Sequence, residues 1–252
     1  MKHEGALGEE KLPVRIWLHE CLGNEVGWNA WCLDLLGFAT WAPSEHDVLE
    51  RVPGKLEEHF EFLAAHGFPP PRRSPGLQVV ERVSGDEVLF SADKAAVSPE
   101  QVDLTMELLA ASRSDLLDTV GKLPEAALDW DPPYRSFLSW ATWRTVRQIL
   151  AHLANTETHY YLAWIGFAPR SSPAPADGDW REFLGEHRAE TLSCLQELRD
   201  SPDRRRIASG NGEEWSAAKV LRRLVRHEIL HTRSIARIGR EYAARVDRAE
   251  AR

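Results

Sequence analysis

Cysteine is scarce in this chain and offers no basis for a disulfide framework. The three cysteines, Cys21, Cys32 and Cys194, form no closely spaced pair and are odd in number, so we expect reduced intracellular thiols. Long apolar runs are missing as well, which argues against a membrane-spanning helix. The first ten residues lack the apolar stretch of an export signal. These absences together predict a cytoplasmic protein with no membrane partner.

Positive charge is also in short supply, and most of the deficit lies in the first part of the chain. Lys and Arg number 31 against 39 Asp and Glu, for a net charge of −8. Residues 1–96 carry 9 basic and 16 acidic side chains, and this net −7 disfavours a phosphate backbone, which is bound through Lys and Arg. Nucleic acid is therefore not expected as a partner. The change in charge predicts two domains, 1–96 and 97–252.

The first domain has the signals of short strands around one helix, which predicts a small α+β domain. Ser44 is suited to cap a helix from Glu45 to His66, in which Pro53 predicts a kink or a late start. Strands are expected where apolar and polar residues alternate or β-forming residues cluster. They are Val14–Glu20, Val26–Leu33 and Phe38–Trp41, with a closing hairpin made of Leu77–Val83 and Glu87–Phe90.

From Ser98 onward the hydrophobic period is that of amphipathic helices. Ser98 in the N-cap position, followed by Pro99, marks the start of the first helix. Four helices are expected, over Ser98–Leu123, Trp143–Gly166, Trp180–Leu198 and Ser216–Val246. Their number and length favour an up-and-down antiparallel four-helix bundle. The fold class predicted for the whole chain is therefore α+β.

Two histidines stand on the inward stripe of the last predicted helix. His227 and His231 share that stripe with apolar residues such as Leu224 and Ile235. Their rings would lie about 6 Å apart on one face, and both can reach one cation at about 2.1 Å. Burying two imidazoles costs free energy unless each finds a partner, and a divalent metal satisfies both. His152, beside the inward stripe of the second helix, is the candidate third ligand of an open, reactive metal site.

The segment from His227 to His231 also matches the H-E-x-x-H motif of zinc proteases. The extended protease motif requires Gly and His where this chain has Ser234 and Arg237, so we interpret the match as incidental. Glu228 is nevertheless the candidate catalytic residue, as a base or as a hydrogen-bond partner of a water ligand. Its position next to His227 is equally compatible with a side chain that points sideways.

The remaining unusual residues are interpreted as structural. HxxxH pairs occur often without a metal, and most other histidines have no partner at ligand spacing. His159 lies about 10 Å along the helix from His152 and is expected at most near the mouth of the site. The tryptophans are interpreted as packing residues. Residues in this structural class are His19, His46, His59, His66 and His187, while Arg222, Arg223 and Arg226 are expected on the outer face of the last helix.

The second domain resembles the DinB-like superfamily, which includes the YfiT-like hydrolases and the bacterial thiol transferases that use mycothiol or bacillithiol. The resemblance covers about residues 98–245. It rests on Ile149–Ala154 with Glu157, on Glu213–Ser216, and on His227–Arg233. It implies a four-helix bundle that holds a divalent metal, often nickel, zinc or manganese, through three ligands. These ligands map onto His152, His227 and His231.

The first domain is similar, more weakly, to HicB-like domains. The similarity rests on Leu33–Trp41 followed by Ser44 and a helix, with Leu36 in the place where Pro is usual. A DNA-binding segment of the kind that follows this domain in antitoxins is not recognisable. The resemblance therefore implies an interaction or dimerisation unit, or a cover for the open end of the bundle.

The leading hypothesis is a metal-dependent enzyme in which the metal activates a thiol or a water for attack on a small-molecule substrate. The resemblance implies a thiol transferase, isomerase or hydrolase, with a low-molecular-weight thiol as cosubstrate and with a homodimer as the expected assembly. The competing hypothesis is a non-catalytic metal-binding scaffold for stress response or protein interaction. An open site favours the enzyme, whereas a closed, dry site favours the scaffold.

Overall fold

The computed structural model of the chain describes residues 13–23, 25–69, 76–133, 141–175 and 177–250. An N-terminal sheet with one helix is followed by a helical region. This order confirms the predicted combination of strands and a helix in the N-terminal part with helices in the C-terminal part. The antiparallel four-helix bundle and the HicB-like character of the first domain stay predictions.

Four strands form the N-terminal sheet. They are β1 (Val14–Cys21), β2 (Gly27–Trp31), β3 (Ala39–Ala42) and β4 (Leu77–Gly85), in the order β3-β2-β1-β4. β2 pairs antiparallel with both β1 and β3, whereas β4 runs parallel to β1. A parallel pair needs a long crossover connection, and helix α1 (Glu45–Ala65) supplies it.

The hairpin predicted from Leu77–Val83 and Glu87–Phe90 is wrong. Residues Leu77–Gly85 form one strand, after which the chain leaves the sheet. Glu87 bridges to Glu213, and its carboxylate accepts a hydrogen bond from Arg223 at 2.7 Å across 136 positions of sequence. This long-range contact sets the path of the chain after β4. The residues of a turn report only on their neighbours in the sequence, so they could not have predicted it.

Helix α1 begins where its cap predicts. The Ser44 hydroxyl accepts a hydrogen bond from the Asp47 backbone N–H at 3.1 Å, and the helix then runs from Glu45 through Pro53. The predicted late start at Pro53 is therefore wrong. The free energy gained by burying the apolar side of the helix outweighs the loss of the one backbone hydrogen bond that proline removes. The buried residues on that side include Val48, Val52, Leu56 and Leu63.

The helical region contains all four predicted helices, the second in altered form. The elements are α2 (Pro99–Gly121), a short α3 (Glu125–Leu128), α4 (Val146–Asn155), α5 (Leu162–Trp164), α6 (Trp180–Asp200) and α7 (Ala217–Glu250). The second predicted helix starts after the capping residue Thr145, and a π-helical turn, Thr156–Tyr161, separates α4 from α5. A hairpin of β5 (Ala208–Gly210) and β6 (Glu213–Trp215) was not predicted.

Helix α2 packs against α6 and α7, and α4 packs against the same two helices. These four helices share one hydrophobic cluster, whose buried members include Leu116, Leu150, Leu153, Leu184 and Ile235. Within the described segments, no helix is both long and apolar enough to cross a membrane.

A second hydrophobic cluster crosses the boundary predicted at residues 96 and 97. It joins Ile16 of β1 to Leu224 and Val225 of α7. Gly37 lies at this junction with a φ of +82°, and a Cβ atom there would come within 2.6 Å of Val225 Cγ1. Only glycine fits both the conformation and the space. The two predicted domains therefore share a continuous core, and their separation at residue 96 stays a prediction.

The prediction that Arg222, Arg223 and Arg226 lie on the outer face of the last helix is wrong. Arg222 is buried, donates to Asp93 at 2.8 and 3.1 Å, and stacks over Trp31. The N-terminal part covers this side of α7, so Arg222 is buried and Arg223 and Arg226 are partly buried. A helical wheel of α7 alone does not reveal a second covered face, because a distant part of the chain provides the cover.

Candidate metal centre

The three histidines predicted as metal ligands meet at one point. His152 comes from α4, and His227 and His231 come from consecutive turns of α7. The Nε2 atom of His227 lies 3.0 Å from Nε2 of His152 and 3.1 Å from Nε2 of His231. The α7 pair follows from i, i+4 spacing, whereas His152 is added by the packing of α4 on α7. We call these residues the histidine triad.

All three imidazoles are neutral at ordinary pH. Burial lowers the pKa of His152 to about 4. Burial also holds the pKa values of His227 and His231 well below the usual range, and the neighbouring histidines add to this effect. A neutral imidazole is the form that binds a metal.

The triad is short of hydrogen-bond partners. His231 Nδ1 is buried and makes no hydrogen bond to any described residue. The converging Nε2 atoms face mainly one another, although a neutral imidazole has only one N–H to donate. A cation about 2.1 Å from each nitrogen would satisfy lone pairs that the protein leaves facing one another. The residues present therefore fit a divalent metal.

Aromatic rings and a hydroxyl hold the triad in place. Trp143 stacks on His152 with ring centroids 3.5 Å apart, and Tyr161 contacts His227 edge-on at 5.5 Å. Thr156 Oγ1 lies 3.3 Å from His152 Nδ1. Contacts of this kind fix ring orientation and tautomer in metal sites. The π-helical turn after α4 carries both Thr156 and Tyr161, which agrees with the frequent use of such turns at functional sites.

A buried ionic network lies beside the triad, with one charged residue from each of the four packed helical segments. Arg113 of α2 and Arg188 of α6 bind Glu157 of the π-helical turn and Glu228 of α7. We call these four residues the charge quartet. Glu157 and Glu228 are almost fully buried. Two positive and two negative charges balance, which is the condition for stable burial.

Glu228 is fully engaged in this quartet. Its carboxylate accepts hydrogen bonds from Ser112 and Arg113, both at 2.5 Å, and from Arg188 at 2.9 Å. Burial alone raises the pKa of a carboxyl group, but the charges of Arg188 and Arg113 outweigh it and lower the pKa of Glu228. These contacts support a role in fixing α7 rather than in accepting a proton. Its predicted role as a base stays a prediction.

His159, which the sequence placed at most near the mouth of the site, does not join the triad. His159 Nδ1 contacts Thr158 Oγ1 at 2.9 Å, and the His159 ring lies against His187 rather than the triad. The sequence interpretation missed the quartet, because Arg113, Glu157, Arg188 and Glu228 lie far apart in the chain. The only sequence signal would have been the charged residues at inward-facing positions of these four helical segments.

Comparison with known proteins supports the helical part of this description. A family model of the DinB superfamily matches residues 108–235, just over half of the chain, and this range contains the whole histidine triad. No curated protein and no solved structure matches the chain. The match does not extend to residues 1–96, where a HicB-like domain was predicted, and does not single out the YfiT type. The chain belongs to the DinB superfamily.

Proposed function

We propose that this protein is a metal-dependent enzyme whose histidine triad holds a divalent cation such as zinc, nickel or manganese. The observation that carries the proposal is the convergence of three neutral Nε2 atoms from two helices, 3.0 and 3.1 Å apart along the triad. Membership of a superfamily that is often metal-binding supports it.

When bound, the metal would supply Lewis-acid chemistry and lower the pKa of a thiol or water for nucleophilic attack. The protein contributes rigid ligands, held by Trp143 and Thr156, and excludes water from the side of His231, which is only 7% exposed. His152 and His227 are partly exposed, whereas His231 is buried, so the triad is not fully enclosed. This openness favours an enzyme over a closed, non-catalytic metal scaffold.

We further propose that α2, α4, α6 and α7 form the up-and-down bundle of the superfamily, and that the N-terminal part acts as its cover. The pairwise contacts of these helices and the shared core at Val225 support this arrangement. Transfer of a low-molecular-weight thiol, isomerisation and hydrolysis are the candidate reactions. A homodimer and a HicB-like origin of the cover are parts of the same proposal.

Metal analysis of the purified full chain tests the proposal. We expect one divalent metal per wild-type chain and none in a His227→Ala/His231→Ala variant. His46→Ala is the matched control, because its side chain is exposed and lies on α1. Equal metal content in the wild type and the double variant would refute the site. A thiol-consumption assay with small electrophiles, run with and without a chelator, then separates an enzyme from a metal-binding scaffold.

A further inference from the structure

The helical segment that carries His152 contains one residue more than an uninterrupted α-helix would. It consists of α4, the π-helical turn Thr156–Tyr161 and α5. At the end of the turn, the Leu162 N–H donates to the carbonyl oxygen of Glu157, five residues back instead of four. Such turns are rare and occur frequently at functional sites. Contacts with the rest of the protein are therefore expected to hold this one.

The extra residue changes which side chains face the histidine triad. Each residue of an α-helix rotates by about 100°, so an uninterrupted helix would place His159 within about 20° of His152 and Tyr161 on the opposite side. One extra residue delays the later positions by about 100°. In the structure the His159 ring lies 5.5 Å from the ring of His187 on α6, and the Tyr161 ring lies 5.5 Å from that of His227. The turn directs His159 away from the triad and Tyr161 toward it.

Glu157 anchors the turn to α2 and α6. Its Oε1 atom accepts hydrogen bonds from Arg188 Nη2 at 2.7 Å and from Arg113 Nη2 at 3.1 Å. Its Oε2 atom accepts hydrogen bonds from Arg188 Nε at 3.2 Å and from the Thr191 hydroxyl at 3.1 Å. A carboxylate held by charge-assisted hydrogen bonds from two helices has little freedom to move. The position of Glu157 is therefore fixed from outside its own segment.

Thr158 anchors the next position of the turn to α6. The Nε2 atom of His187 lies 3.2 Å from the carbonyl oxygen of Ser172, which only accepts, so Nε2 carries the proton and Nδ1 is the acceptor of a neutral ring. The Thr158 hydroxyl therefore donates to His187 Nδ1 at 2.7 Å and accepts from His159 Nδ1 at 2.9 Å. This directed chain of hydrogen bonds ties His159 to α6.

We propose that Glu157 and Thr158 are positioning residues for the metal centre. They hold the π-helical turn in the register that keeps a further imidazole, that of His159, away from the triad. The consequence is a metal with three protein ligands and an open position, which is the arrangement of a reactive site. This inference rests on the proposed function, because the triad defines what the turn positions.

The turn also orients two of the three ligands. Thr156 Oγ1 lies 3.3 Å from Nδ1 of His152, and the Tyr161 ring packs edge-on against His227. Thr156 and Tyr161 are the first and last residues of the turn, so a released turn loses both contacts. Loss of the groups that orient metal-binding histidines weakens metal affinity by about tenfold to a hundredfold.

Hydrogen exchange in chelated protein tests the anchoring without any metal. Glu157→Gln/Thr158→Val removes the anchors and preserves side-chain size, and we expect the amides of residues 156–162 to exchange about tenfold faster than in the wild type. Glu190→Gln/Thr105→Val is the matched control. Both of its residues are buried, but Glu190 binds Ser171 and Thr105 binds the Gln101 carbonyl, so exchange in the turn should stay within about twofold.

Thr158→Val alone is the milder variant should the double variant not fold, with an expected increase of about threefold. Exchange in the turn that neither variant changes would overturn the proposal, whether or not the protein binds metal. Faster exchange in the turn that the control double variant reproduces would equally overturn it, since the effect would then be a general loss of stability.

Competition titrations with zinc test the positioning role. We expect the dissociation constant of Glu157→Gln/Thr158→Val to rise by about tenfold or more, and that of the control double variant to stay within about twofold of the wild type. His159→Ala should also stay within about twofold, because its imidazole is not a ligand. Equal weakening in both double variants, or loss of zinc from His159→Ala, would overturn the proposal. Absence of zinc binding by the wild type would refute the proposed function, and hydrogen exchange would then still decide whether Glu157 and Thr158 hold the turn.

Discussion

Helix α7 buries polar groups in two contrasting ways within one turn. Glu228 binds Ser112, Arg113 and Arg188 at distances of 2.5 to 2.9 Å, so the protein itself satisfies its carboxylate. His227 is the preceding residue, and the contacts of its Nε2 atom within the described segments are to the imidazole nitrogens of His152 and His231. A satisfied buried group stabilises the fold, whereas an unsatisfied one needs a ligand. The absence of internal partners, rather than burial or charge, distinguishes the candidate site.

The same contrast recurs on the side of α7 that faces the N-terminal part. Arg222 has Asp93 as its counter-ion and lies over Trp31, so its charge is neutralised within the protein. Arg226, one turn further along, has neither kind of partner in the part of the chain that the structure describes. Both residues belong to one run of basic side chains, and only the rest of the fold decides which of them gains a partner.

The largest effect is expected from breaking the charge quartet. Arg188→Met should lower the free energy of unfolding by about 3–5 kcal/mol, because it leaves Glu157 and Glu228 buried with one arginine between them. Urea denaturation measures this loss. Arg181→Met on the same helix is the control, since Arg181 is exposed and only stacks on Trp180, and its cost should stay below about 1 kcal/mol. Equal, small effects would remove the stabilising role assigned to the quartet.

Metal binding provides the corresponding test of the histidine triad. Zinc or nickel at a hundredfold excess over its dissociation constant should raise the stability of the wild type by about 2.7 kcal/mol, and a chelator should reverse the gain. The His227→Ala/His231→Ala variant should show no gain, because the ligands are absent. Thermal denaturation at several metal concentrations measures both. An equal shift in the double variant would mean that the metal binds elsewhere.

Glu228→Gln separates the two roles considered for this residue. Replacing a charged acceptor by a neutral one weakens its bonds to Arg113 and Arg188, and we expect a loss of about 2 kcal/mol in the free energy of unfolding. Metal content should stay at the wild-type level, because Glu228 faces the quartet. A variant of undiminished stability that has lost all turnover would instead support the predicted role of Glu228 as a base.

The contact between the N-terminal part and α7 can be weakened at a single glycine. Gly37→Ala should cost about 1–2 kcal/mol, because the new Cβ meets Val225 Cγ1 at 2.6 Å and Gly37 has a positive φ. Gly54→Ala is the matched control. It lies inside α1 with nothing within 4 Å of the added carbon, so alanine should stabilise the helix by about 0.5–1 kcal/mol. Thermal denaturation compares the two, and a tolerated Gly37→Ala would mean that the junction is loosely packed.

Periodicity was most informative where the chemistry lies within one helix. The pair His227 and His231 follows from i, i+4 spacing on a buried stripe, and both lie in the triad. The capping signals of Ser44 and Ser98 were correct for the same reason, since each cap is made within four residues. The prediction of His152 as the third ligand rested on its place beside an inward stripe and on the family resemblance. In the structure, the packing of α4 on α7 brings His152 to the pair.

Several of the failures involve contacts between residues that are distant in the sequence, although the missed β5–β6 hairpin is local. The path after β4 depends on the contact of Glu87 with Arg223, and the π-helical turn that carries Glu157 and Tyr161 interrupts an otherwise regular helical pattern. The covered arginine face of α7 depends on the N-terminal part. No short window of sequence contains both partners of any such contact.

The sequence by itself determined the change from strands to long helices, the i, i+4 histidine pair and the charge difference between residues 1–96 and 97–252, because local periodicity and composition encode them. Tertiary structure alone decided which polar groups on α7 are satisfied. Hydrogen bonds and ion pairs act over a few ångströms in space, so the partners of Glu228, Arg222 and Arg226 are set by what folds against that helix. The difference between a stabilising residue and a ligand-binding one exists only in the folded chain.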